Sequence, residues 1–146
     1  MRKILIAYVS VLVVFAALDF TWLTLTGPTL YRPALAPLLA DTVQAAPAIA
    51  FYMIYLAGLV FFAVWPATRS GAWTTALLNG AALGLVAYAT YDLTNQATLR
   101  VWSFKVTILD LCWGAFASAL AATVSYWITT WASRAHGSST VKGAAA

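Results

Sequence analysis

A chain of 146 residues that is 63% hydrophobic and only 8% charged, with a mean hydropathy of +0.85, has too few polar residues to cover a water-soluble globule. Its net charge of +4 comes from single Lys and Arg residues near the ends of apolar segments, a distribution that excludes a nucleic-acid-binding face. The lone cysteine, Cys112, excludes an internal disulfide and a multi-thiolate metal site, and it reads as a small packing residue inside a helix.

A membrane-spanning helix needs about 20 apolar residues, so the chain has room for four spans and little else. The first is expected over Ile4–Leu25. Its apolar run is longer than the core of a signal peptide, about 7–15 residues, and no small-x-small site follows, so it reads as a retained helix. The connection Thr26–Pro47 carries four prolines yet stays apolar, and is expected to lie along the membrane surface or to fold over the mouth of the bundle. The second span is expected over Ala48–Pro66, and the short turn after it should make the second and third helices antiparallel neighbours. The third follows over Trp73–Leu99 and the fourth over Val106–Ala132. The expected class is therefore all-α, an integral membrane four-helix bundle. Residues 1–132 form one transmembrane domain, and residues 133–146, which include the only histidine, His136, form a disordered cytoplasmic tail.

Lys and Arg set the expected orientation. With both termini in the cytoplasm, Arg2, Lys3, Arg69, Arg134 and Lys142 lie inside, against Arg32, Arg100 and Lys105 outside. Two tryptophan belts agree: Trp65, Trp73, Trp127 and Trp131 at the inner boundary, Trp22, Trp102 and Trp113 toward the outer one. The expected location is the bacterial inner (cytoplasmic) membrane.

Three of the four acidic residues, Asp19, Asp92 and Asp110, fall inside these spans. An intramembrane carboxylate costs several kcal/mol unless paired, protonated or hydrated, so each should face the bundle interior. The topology puts all three in the outer half at similar depth. Gly80 and Gly84 on the third helix, and Asp110, Gly114, Ala117, Ala121 and Ser125 on the fourth, form stripes that let helices approach closely. Tyr88, Asp92, Asn95 and Gln96 make a polar stripe too rich for lipid contact. Asp19-x-x-Trp22 and Asp110-x-x-Trp113 echo each other, a match too short to define a repeat. Arg32, Arg100 and Lys105 near the same helix ends offer a structural alternative, in which Asp–Arg ion pairs lock loop to bundle.

Several segments carry a family resemblance. They are Asp19-x-x-Trp22-Leu23, Leu30-Tyr31-Arg32-Pro33, Pro47-Ala-x-Ala-Phe51-Tyr52-x-x-Tyr55, Phe62-Ala63-Val64-x-Pro66, the run from Gly84 to Arg100 with its Tyr91-Asp92-Leu-Thr-Asn95, and Asp110-x-x-Trp113-Gly114. Over nearly all but the tail, the chain resembles a bacterial family of small four-helix membrane proteins known as domain of unknown function 2177. The resemblance implies an inner-membrane helical protein and no particular reaction. It marks Asp19, Arg32, Asp92, Asn95, Arg100, Asp110 and Trp113 as motif positions.

Three functions compete. The first is binding or moving a cation or proton at the three aspartates, with Asn95, Tyr88 and Thr94 as neutral oxygen partners and Trp22, Trp113, Arg32 and Arg100 around them. The second is a membrane enzyme acting on a lipid or isoprenoid head group, with two carboxylates dividing acid and base work or three holding a divalent metal. The third is an accessory subunit or a binder of a small apolar ligand, with the aromatic second span (Phe51, Tyr52, Tyr55, Phe61, Phe62) as groove. The lipid bilayer is the one partner expected in every case, and an oligomer is compatible with all three.

Overall fold

Hydrocarbon offers a backbone no water to bond to, so a chain this apolar closes its hydrogen bonds within helices. In the computed structural model the backbone is described for residues 2–143 and the side chains for residues 2–134, and no strand occurs among them. Helix α1 (Arg2–Thr26) runs on through a π turn (Gly27–Tyr31), α2 (Arg32–Leu35) and a 3-10 turn (Ala36–Leu38). The proline-rich connection thus largely prolongs the first helix. Pro28 and Pro33 stand second in their segments, and the π turn shifts the hydrogen-bond register of the continuing helix around them. The Arg32 N–H reaches Gly27 O across the widened turn.

The second element is α3 (Ala45–Leu59), a π turn (Val60–Val64) and α4 (Trp65–Ser70). Pro66 was the expected end of this span, but the helix passes through it. The π turn shifts the hydrogen-bond register just before the proline, with the Trp65 N–H bonded to Val60 O. Proline removes the donor that would have satisfied Phe62 O, and the Asn79 side-chain amide donates to that carbonyl instead, at 2.9 Å. Asn79→Ala should destabilise the folded protein by about 1 kcal/mol, read as a lower melting temperature in detergent. The element ends at Gly71, whose φ of +72° makes the left-handed cap that turns the chain.

α5 (Trp73–Thr98) and α6 (Phe104–Gly143) complete the bundle. The tail expected over 133–146, with His136, lies for the most part outside the residues whose side chains are described. α6 is central, packed along α5 on one side and α1 on the other. The second and third helices are neighbours at the Gly71 end, where α5 meets α4 and the π turn. Phe15, Val11, Leu56, Leu59 and Val64 fill the core with alanines of α6.

Small residues let α5 and α6 touch. A Cβ added at Gly80 would stand 2.8 Å from Ser118 O, and one added at Gly84 would strike the Gly114 backbone. One added at Gly114 would strike the Tyr88 ring. Three elements are long and apolar enough to cross a membrane: Arg2–Leu38, Ala45–Ser70 and Phe104–Arg134. α5 has 26 residues and the length to do so, but its polar stripe makes it less apolar. The fold is a four-helix membrane bundle.

Candidate functional site

At the end of the bundle away from Gly71 lies a cavity of about 630 Å³. Asp19 and Trp22 of α1, Tyr31 of the π turn, Phe51 of α3, Tyr88 and Tyr91 of α5, and Asp110 and Trp113 of α6 line it. Leu23, Phe51 and Tyr91 in its lining are exposed, so the cavity is open and its rim is apolar and aromatic.

α1 and α6 run antiparallel. Ser125 Oγ donates to Ala7 O at 2.9 Å, and an equal number of residues further along, Asp19 faces Trp113. In that register the two Asp-x-x-Trp motifs cross. Trp113 Nε1 donates to Asp19 Oδ1 at 3.3 Å. Trp22 Nε1 donates to the Tyr31 hydroxyl at 2.8 Å, and Tyr31 in turn donates to Asp110. The two indoles stack between the carboxylates, with centroids 4.4 Å apart and planes 8° from parallel. Tyr52 of α3 completes the pattern by donating to Asp19. Each aspartate thus has one tyrosine hydroxyl, and each tryptophan serves the motif on the other helix.

The three tryptophans expected toward the outer boundary have partners inside the protein. Trp22 and Trp113 are half-buried walls of the cavity. Trp102 is also engaged inside the protein, edge-on to Tyr91 and donating to Thr107 at 3.0 Å. Trp73, Trp127 and Trp131 are exposed, and Arg69 sits 5.5 Å over the Trp65 ring.

The aspartates do not form one cluster. Asp19 and Asp110 share the cavity, whereas Asp92 is off its lining, fully buried, with neither carboxylate oxygen hydrogen-bonded. Among the described residues no three His, Cys, Asp or Glu side chains gather to hold a metal ion, so the three-carboxylate metal site is not formed. The Asp–Arg alternative also fails at the site. The donors on Asp19 and Asp110 are all uncharged, and Arg32, Arg100 and Lys105 are exposed. Long basic side chains near helix ends gain more by extending to water than by entering the bundle.

Of the other expected partners, Tyr88 lines the cavity and Thr94 lies at its edge. Asn95 is half-exposed, and Gln96 turns to Thr107, whose hydroxyl donates to its Oε1 at 2.9 Å. Cys112 is exposed on α6, which corrects its reading as a packing residue. The sequence marks Tyr31 only within a motif segment and Tyr52 only there and in an aromatic groove, and neither as a donor to an aspartate. The available signal was chemical: a buried carboxylate without a base must find hydroxyl or indole donors, and these tyrosines lie at the same ends of their segments.

The family model described as "Predicted membrane protein (DUF2177)" matches residues 4–127. No curated protein and no solved structure matches the chain.

Proposed function

We propose that this chain, which belongs to the DUF2177 family of predicted membrane proteins, binds an organic cation with an apolar body in the cavity between Asp19 and Asp110. One observation carries the reading: two carboxylates that no basic side chain neutralises among the described residues stand in an aromatic-walled cavity of about 630 Å³. Aromatic faces attract a desolvated cation, and carboxylate oxygens held in place by neutral donors are aimed to meet it. A single inorganic ion would leave most of the roughly 630 Å³ unfilled. The apolar and aromatic rim of Leu23, Phe51 and Tyr91 suits an amphipathic guest that partitions first into lipid.

Tetraphenylphosphonium tests this directly. The protein in lipid nanodiscs should bind it saturably, with quenching of tryptophan fluorescence from the Trp22–Trp113 stack. Triphenylphosphine oxide, which is neutral, should not compete. Equal binding of the neutral compound would overturn the cationic reading and favour an apolar-ligand site.

The proposed setting is the bacterial inner membrane, crossed four times, with both termini in the cytoplasm and the cavity toward the outer leaflet. The bias of Lys and Arg supports it. In a Cys112→Ala background, an impermeant maleimide added to intact cells should label Asp41→Cys and spare Ser70→Cys. The reverse pattern would invert the topology.

A further inference from the structure

We infer that Asp92 is a proton site separate from the cavity, and that a cation bound beside Asp110 displaces its proton. This rests on the cavity reading for the second half only. Asp92 is 0% exposed, and neither of its oxygens has a hydrogen-bond partner. Asp19 and Asp110, by contrast, each accept from tyrosine or indole donors. A bare carboxylate so placed costs several kcal/mol, whereas the neutral acid avoids most of that cost. The chain therefore treats its three intramembrane aspartates in two ways: two are supplied with donors suited to an anion, and one is not.

The groups that act on Asp92 are few. The close contacts of Gly80 with Ser118 and of Gly84 with Gly114 fix the antiparallel register of α5 and α6, which sets Asp110 level with Tyr88, one helical turn from Asp92, and Tyr91 adjoins Asp92 on its own helix. The one charged residue of the α3–α4 element is Arg69, at the Gly71 end. Arg100 and Lys105, at the adjoining helix ends, are exposed. Asp110 is thus a like-charged neighbour of Asp92 across the α5–α6 pair, and it also lines the cavity.

A cation beside Asp110 cancels the like charge that Asp92 feels, which makes ionisation of Asp92 less unfavourable. The Asp92 O–H bond then breaks, the electron pair stays on the carboxylate and the proton passes to water. One monovalent cation enters and one proton leaves, so the charge of the bundle is conserved. By linkage, a proton on Asp92 weakens cation binding by the same factor that the cation weakens the proton.

Infrared spectroscopy reads the proton without any ligand. The chain contains four aspartates and no glutamate, so its side-chain carboxyl bands are few. At neutral pH the wild-type protein should show a protonated carboxyl C=O band that Asp92→Asn removes. Persistence of the whole band in Asp92→Asn would overturn the proton site. If that variant does not fold, Asp92→Glu in protein labelled with carboxyl-¹³C aspartate serves instead. There the band should lose its isotope shift, and a retained shift would overturn the assignment.

Adding tetraphenylphosphonium should then diminish the wild-type band and release about one proton per cation bound. An undiminished band with the cation bound would overturn the coupling. Absence of tetraphenylphosphonium binding would overturn the cavity reading and the coupling together, while the ligand-free spectrum decides the proton site independently.

Discussion

Gly84→Leu should yield little folded protein, and even Gly84→Ala should melt earlier in detergent than wild type. On helix propensity alone, alanine for glycine in a helix gains about 1 kcal/mol. The packing decides the sign here. A Cβ at Gly84 would strike the Gly114 carbonyl and stand 2.7 Å from its carbon, and those are backbone atoms that cannot rotate away. Separating α5 from α6 by a methyl group loosens the central contact of the bundle, at a cost of about 1–3 kcal/mol or more for alanine. Leucine demands a separation that the interface does not allow. Gly58→Ala is the control: a Cβ there would meet only the end of the Leu83 side chain at 3.8 Å, an ordinary contact. A Gly84→Ala protein that melts with or above wild type, measured beside Gly58→Ala, would show that the close approach of α5 and α6 does not support the fold.

Asp19→Asn combined with Asp110→Asn should abolish tetraphenylphosphonium binding while the bundle still folds. An amide keeps the size of the carboxyl group and an oxygen for the Tyr52, Trp113 and Tyr31 donors, but removes the charge. A charge-assisted contact contributes about 1.5–3 kcal/mol, so each single substitution should weaken binding by about tenfold to a hundredfold. Binding and melting must be measured on the same preparations. A purely structural role would lower the melting temperature and leave the affinity of the surviving folded fraction intact. That result would contradict a cation site between the two carboxylates.

The crossed Asp-x-x-Trp pairs put the carboxylates and indoles of the candidate site on the helices rather than on the connections. α1 and α6 supply the carboxylates and the stacked indoles, and α3 contributes Tyr52. The prolonged first helix returns Tyr31 to Asp110, so this connection is tied to the site by a side chain. Hydrogen bonds between membrane helices typically contribute about 0.6–2 kcal/mol each. The network therefore orients the two carboxylates as well as holding three elements together.

The helical class, the approximate spans, the glycine contacts and the inward-facing aspartates were legible from the sequence because each depends on a local property of the chain. Hydropathy sums over neighbours, stripes of small residues follow the 3.6-residue repeat, and a carboxylate is excluded from lipid wherever its helix lies. The tertiary structure decided what no local pattern contains. Pro66 looks like a helix end until a π turn and Asn79, from another helix, satisfy the carbonyl it leaves free. Phe51 and Tyr52 look alike as aromatic neighbours, yet one walls the cavity and the other donates to Asp19. Asp19, Asp92 and Asp110 look equivalent in depth, yet only two reach the cavity and the third is buried without a donor. These distinctions depend on how far each helix is rotated and shifted against its neighbours. All four elements set that together when the Gly80, Gly84 and Gly114 surfaces lock α5 to α6 and the two Asp-x-x-Trp motifs come into antiparallel register.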